Sequence, residues 1–350
     1  VTIPKIYFDN IEGKWFVTNK KGDSGAICFG DCSGSSGGSG GSSGNCTGSL
    51  PCGDTGVFGG GYGGGYKSTI DYITISTPCD ATNFGNLSVA RDGLAATSNA
   101  TNDRGVFGGG YGSGDKYLST IDYITISTPG NAQNFEDLSV ARDRSAATSN
   151  ATKDRGVFGG GWNGSSYQST IDYITISTPG NANNFGNLSL VRRDLAATSN
   201  ATKDTGVFGG GYNSGYKSTI DYITISTPGD AQSFGNLSVA RRGLAATSNA
   251  TKDRGVFGGG YNSGDKYLST IDYITISTPG DAQSFGNLSV ARRGLAATSN
   301  ATKDRGVFGG GYDGNNLYTI DYITISTPGN AQNFGNLSVA RCWLAATSNA

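Results

Sequence analysis

The sequence predicts an all-β fold: a β-propeller of six four-stranded blades, preceded by a small β-rich arm. Three observations carry that expectation. The motif GVFGGG recurs with its first glycine at Gly56, Gly105, Gly156, Gly206, Gly255 and Gly306, at spacings of 49, 51, 50, 49 and 51 residues. A repeat near 50 residues is the length of a propeller blade or solenoid unit, not of one mixed core. Each unit also holds four short β-compatible stretches, and none shows apolar residues at helical spacing over three turns.

The unit from Arg91 to Val140 shows the elements in order. LAATSN is short, small and β-compatible. RGVFGG carries Val and Phe and then breaks at glycines. STIDYITIST alternates Ile and Tyr against Thr and Asp, and the NFGNLSVA-type segment alternates again. Turn-formers separate them: Asn-Ala-Thr-Lys-Asp after the first strand, a Gly/Asn/Ser/Tyr loop after the second, and Pro-Gly-Asn or Pro-Gly-Asp after the third. The array opens at Gly56 without a LAATSN strand, and the chain closes with one, Leu344 to Asn349. The C-terminal strand is therefore expected to complete the first blade, which also removes an unpaired sheet edge.

A double glycine followed by an aromatic (Gly109, Gly110, Tyr111), a Tyr in the next strand (Tyr123), an aromatic in the last (Phe135) and an Arg before the next unit (Arg142) resemble the kelch repeat. The likeness runs over roughly residues 54 to 350 and is closest to the kelch-like arrays of tailed phages and other aquatic viruses and microbes. It departs from the pattern in having Phe where kelch repeats usually have Trp. What it implies is a kelch-like propeller, with the first aromatic and the Arg of each unit as framework; it implies no activity. With the first strand of each blade innermost, as in kelch propellers, Ala, Thr, Ser and Asn would line a small, uncharged channel.

Residues 1–55 fall outside the repeat, and residues 56–350 form the array. KIYF and KWFVT read as a hairpin, AICFG as a third strand, and Ser33 to Gly44 as a Gly/Ser linker. Ile6, Phe8, Trp15, Phe16 and Val17 are too few for an independent core, so they are expected to bury against something larger, as a subunit contact. The six cysteines, Cys28, Cys32, Cys46, Cys52, Cys79 and Cys342, lie mostly in the non-repeat segment. Disulfides in an oxidising compartment are the expectation; a zinc site has weaker spacing support and no His to help. Strand direction puts Cys79 and Cys342 on opposite faces of a blade. The expected pairs are Cys52 with Cys79, and Cys342 with one of Cys28, Cys32 or Cys46.

Bulk properties bound the function. Hydrophobic content is 35%, and 58 of 350 residues are Gly, so a stable fold must come from close packing of small repeated sheets. Net charge is −1 with no basic cluster, which argues against a nucleic-acid partner. No apolar run reaches membrane-span length. No leader-like segment opens the chain, an expectation that suits a mature secreted or virion protein and also a chain never exported that way.

Histidine is absent, which removes the usual triads and His-based metal sites. The repeated Asp of TIDYIT (Asp71, Asp122, Asp172, Asp221, Asp272, Asp321) is expected to act in a turn or between blades. No catalytic residue, metal or cofactor is expected. Asn-Leu-Ser and Asn-Ala-Thr sequons recur because the repeat copies them. The ligand-binding candidates are the second aromatics of the glycine loops, Tyr66, Tyr117, Tyr167, Tyr216, Tyr267 and Tyr318, which with neighbouring Arg could stack on sugars or grip an acidic partner. The expected function is a non-enzymatic extracellular or virion-surface structural subunit, a fibre, filament or appendage component that self-associates; the alternative is an adhesion module that binds surface glycans or proteins.

Overall fold

The computed structural model describes residues 53–349, apart from the short links 100–102, 151–153, 201–202, 250–251 and 301–303, together with Leu50 and the backbone of three N-terminal strands. Two compact units divide the chain, Val1–Ser42 and Ser43–Ala350. In the first, Ile6–Asp9 pairs antiparallel with Lys14–Thr18, which pairs with Ser24–Ile27. The hairpin and third strand read from the sequence are thus present. The side chains expected to make a subunit contact, and Cys28, Cys32, Cys46 and Cys52, lie outside the described residues.

In the second unit the described residues form six four-stranded antiparallel sheets, a repeating pattern consistent with a propeller-like fold. The sheet of the second repeat is representative: an inner strand Ala95–Asn99, a second Arg104–Gly108, a third Thr120–Thr125 and an outer Gln133–Asp137, each paired with the next. In the first repeat the inner place is taken by Ala345–Ser348, which pairs with Thr55–Gly59 in the same register, Ala345 opposite Gly59. Inner strands lie against their counterparts in neighbouring sheets, and Ala345–Ser348 lies against both Ala296–Asn300 and Ala95–Asn99.

Glycine explains how the sheets approach. A Cβ on Gly159 would stand 2.8 Å from a ring carbon of Phe208 in the next sheet, so each Phe of a GVFGGG motif packs flat on the preceding sheet's glycine. Phe58 does the same on Gly309. Apolar clusters accordingly form between sheets; one joins Phe58, Ile73 and Ile75 of the first repeat to Val307, Ile320 and Phe334 of the last.

Polar groups lock the same junctions. Asp122 accepts hydrogen bonds from the Ser88 amide at 2.9 Å and from the Ser88 hydroxyl at 2.5 Å, both from the preceding repeat's connection. Arg91, on that connection, donates to Asp122 at 3.0 Å, to the Thr120 carbonyl at 2.7 Å and to the Phe107 carbonyl at 3.2 Å. Both side chains are fully buried. Arg142–Asp172, Arg192–Asp221, Arg241–Asp272, Arg292–Asp321 and Arg341–Asp71 repeat the pair at 2.9–3.0 Å. Burial lowers each arginine's pKa, and its Asp partner opposes the shift. The repeated Asp therefore joins neighbouring sheets.

Three expectations need correction. Cys342 carries a free, buried thiol instead of a disulfide, because its side chain packs where the connection meets Tyr62 of the first repeat. Cys79 is disulfide-bonded, to a partner outside the described residues. The inner strands do not present all their small polar residues to an axis: Thr97 and Asn99 are buried, and Asn99 donates to Asp154 of the next sheet, leaving Ala96 and Ser98 as the half-exposed positions. Asn99, Asn150, Asn200, Asn249 and Asn300, the Asn-Ala-Thr asparagines, are all fully buried. The third correction concerns Tyr318 and follows from the loop geometry below.

Candidate functional site: an aromatic belt around a hydrogen-bonded hub

After each buried arginine the connection runs through two more residues before turning into the next inner strand. The second of these two is Gly93, Arg144, Asp194, Gly243, Gly294 or Trp343, and all six have φ between +53° and +64°. Their backbones form a closed cycle. The amide of Gly93 donates to the carbonyl of Trp343, Arg144 to Gly93, Asp194 to Arg144, Gly243 to Asp194, Gly294 to Gly243 and Trp343 to Gly294, at 2.5–2.9 Å. Glycine takes this left-handed conformation freely, whereas Arg144, Asp194 and Trp343 adopt it at roughly 1–2 kcal/mol each. That strain is held at three places where sibling repeats use glycine.

Around the hub runs a belt of aromatic rings from the glycine loops. The second aromatic of a loop contacts both its own loop's first aromatic and that of the next repeat. Ring centroids are 5.6 Å apart for Tyr62–Tyr66, 6.0 Å for Tyr66–Tyr111 and 4.8 Å for Tyr111–Tyr117. The indole N–H of Trp162 then donates to the Tyr117 hydroxyl at 3.1 Å. Contacts continue at 4.7–6.3 Å through Tyr167, Tyr212, Tyr216, Tyr261 and Tyr267 to Tyr312. Five of the six second-aromatic candidates thus stand together, half-buried.

Tyr318 does not join them. Its carbonyl accepts from the Leu337 amide as that of Ser68 does from Leu87, so it occupies the repeat's serine position, and it is exposed. The residue bridged to Tyr312, as Tyr66 is to Tyr62, is Asn316. The belt is therefore interrupted once, between Tyr312 and Tyr62.

Charges are arranged unevenly. The first residue after each buried arginine is Asp92, Asp143, Arg193, Arg242, Arg293 or Cys342. Arg242 stacks over Tyr212 at 4.8 Å and Arg293 over Tyr261 at 4.7 Å. Arg144 lies over the Trp343 ring at 4.6 Å, with its Nε 3.3 Å from Asp143 and 3.7 Å from Asp194. Burial pushes the Asp143 carboxyl up to about 7; Arg144 opposes the shift and Asp194 adds to it. Burial likewise raises Asp92 to about 6, against Arg144, and the Cys342 thiol to about 11.

At the interruption Asn316 stands where the other five repeats have Tyr, and Cys342 where three of them have Arg and two have Asp. A pocket of about 390 Å3 opens there. Tyr62, Tyr66, Tyr111, Tyr312 and Trp343 supply its aromatic surface, and Asp92, Asn316, Arg144 and Arg293 its polar groups. A smaller cavity is lined by Leu94, Leu195, Leu244, Leu295 and Leu344 together with hub residues, Arg144 and Asp194 among them. Charged and apolar side chains thus stand together where the sequence suggested only small uncharged residues. The hub and Asn316 escape a search for repeated features because they are departures from the repeat.

No protein-family model matches the chain, and no curated protein does so either.

Proposed function

We propose that the chain is a closed six-bladed kelch-like propeller that works as a non-enzymatic recognition module, engaging surface glycans or proteins through its aromatic face. The observation that carries this reading is the belt: eleven tyrosine or tryptophan rings on one set of loops, with stacked arginines, on a frame otherwise made of near-copies. Rigid aromatics with polar tips bind at low entropic cost, and loops held by a rigid scaffold are where binding residues concentrate. The strand pairing of Ala345–Ser348 with Thr55–Gly59, the Arg341–Asp71 pair and the hub's cycle support closure. The oxidised Cys79 supports an extracellular or virion-surface setting. Catalysis has no support in the chain's inventory, which lacks histidine. The fibre reading rests on the N-terminal arm, whose side chains lie outside the described residues.

The test is binding of the purified chain to glycan and cell-surface protein arrays, with Tyr216→Ala and Tyr267→Ala as comparison. Binding lost in both variants, with unchanged unfolding midpoints, is expected. Binding that survives both, or a wild-type chain that binds nothing, overturns the assignment of this face.

A further inference from the structure

The near-identical repeats give the molecule an internal reference, so departures from them can be read residue by residue. Every other interval of the belt is filled by a second aromatic, and three of them also by a stacked arginine. Only the interval between Tyr312 and Tyr62 lacks both. Trp343 is added at the same place, where it lies against Gly243 and Gly294 closely enough that a Cβ on either would meet its ring at 2.9–3.0 Å. Trp343 at a left-handed position, beside Asn316 in the Tyr slot and Cys342 in the slot that holds Arg or Asp elsewhere, moves aromatic surface from the belt to the floor of a cavity.

Among the described residues, one polar atom there has no partner, and two charged groups beside it have no salt-bridge partner. Asn316 Oδ1 is buried and has no hydrogen-bond partner. Arg293 stacks on Tyr261, and its guanidinium pairs with no carboxylate, unlike that of Arg144, which Asp143 and Asp194 compensate. Asp92 lines the pocket, where Arg144 and its own backbone hydrogen bond act on its carboxylate. An unpaired buried acceptor such as Asn316 Oδ1 costs about 1–3 kcal/mol, a cost that a ligand offering a donor removes. Aromatic walls suit the C–H face of a sugar ring, Asn316 and Asp92 accept from hydroxyls, and an uncompensated guanidinium best takes a carboxylate.

We infer that the pocket between Tyr312 and Tyr62 is a subsite for one pyranose ring bearing a carboxylate, a uronic or sialic acid residue of a surface glycan. This deepens the recognition reading above and rests on it. Asp92, opposite, keeps hydroxyl groups rather than a second anion at its side of the pocket. The acidic ring enters beside Arg293, and the rest of the glycan leaves across the belt.

Calorimetric titration at pH 7.4 with the methyl glycosides of glucuronic acid, N-acetylneuraminic acid and glucose tests this. The expected result is that at least one acidic glycoside binds about tenfold or more tighter than the glucoside, a difference of about 1.4 kcal/mol. Asn316→Tyr, which restores the belt, should abolish binding of all three while leaving the unfolding midpoint at or above that of the wild type. Tyr318→Ser, outside the pocket, should bind as wild type, and Arg293→Gln should lose the preference for acid but still bind the glucoside weakly. Equal affinity for acidic and neutral glycosides, undiminished binding by Asn316→Tyr, or no binding of any glycoside overturns the subsite. Array binding that is lost in Tyr216→Ala but intact in Asn316→Tyr would retain the face and reject the pocket.

Discussion

Replacing Arg341 by Met puts the junction between the first and last repeats to a quantitative test. Arg341 and Asp71 are fully buried, 2.9 Å apart and 270 residues apart in sequence, and Arg341 also donates to the Thr69 carbonyl at 2.7 Å and the Phe58 carbonyl at 3.1 Å. Met fills a similar apolar volume but leaves Asp71 with only the Ser338 amide and hydroxyl, at 3.1 and 2.6 Å. Breaking one side of a buried pair costs about 3–5 kcal/mol, because the stranded charge stays out of water. With an unfolding entropy of about 2.1 cal/mol/K per residue, a unit of about 300 residues loses roughly 0.6 kcal/mol per kelvin at its midpoint, so the expected drop is about 5–8 °C. Arg192→Met removes the same contacts at a junction whose sheets are adjacent in the chain, and serves as the internal standard. Scanning calorimetry should give similar losses for both. If Arg341→Met lies within about 1 kcal/mol of wild type while Arg192→Met pays the full cost, the first and last repeats are not joined as described.

Three further outcomes follow from particular residues. Because the Asp143 and Asp92 carboxyls are raised in the folded chain to about 7 and about 6, against roughly 4 when unfolded, the folded state holds more protons between those values; their stabilising contribution is full below about pH 4 and is lost as pH rises toward 7. Denaturant titrations across that window should therefore show a flatter decline for Asp143→Asn than for wild type, and an identical slope would refute the assignment. Glu136 sits at φ 125°, where five sibling repeats have glycine, so Glu136→Gly should gain about 1–2 kcal/mol, strain relief of 1–3 less the entropic cost of glycine, in the same titrations; a net loss would mean the side chain makes compensating contacts. Cys342, buried and with its thiol pushed up to about 11, should resist iodoacetamide at pH 8 until the chain is unfolded, as peptide mapping would show; rapid alkylation of the native chain would place it at the surface.

Much of this architecture is legible in the sequence because repetition averages out local ambiguity: each strand type appears six times, and its alternation and its flanking turns agree every time. The split first sheet is equally legible, since a missing LAATSN at one end and a surplus one at the other leave a single pairing. The role of the repeated Asp is readable as a joint, though its partners, Ser88 and Arg91 for Asp122, come from the adjacent repeat and emerge only in three dimensions. The misplacement of Tyr318 has a simple cause. Counting forward from the glycines, across loops of unequal length, matches it to Tyr267; counting back from TIDYIT matches it to Ser269 and puts Asn316 in the tyrosine slot. The hub is hidden for a different reason: RDG, RDR, RRD, RRG, RRG and RCW look like drift in a loop, and only the shared positive φ and the backbone cycle show that they meet around one axis. Cys342 falls in the same class, since chemistry favours pairing an isolated Cys, whereas packing against the first repeat's loop leaves its thiol free and enclosed.

The central claim is that recognition is concentrated where the aromatic belt is interrupted, between Tyr312 and Tyr62. The most direct measurement is a crystal structure of the full chain grown with the glycoside that binds best. The account predicts sugar density in the interval between Tyr312 and Tyr62, over Trp343, with the carboxylate toward Arg293 and a hydroxyl on Asn316. Density at the perimeter, or spread equally over the belt's other intervals, would contradict it.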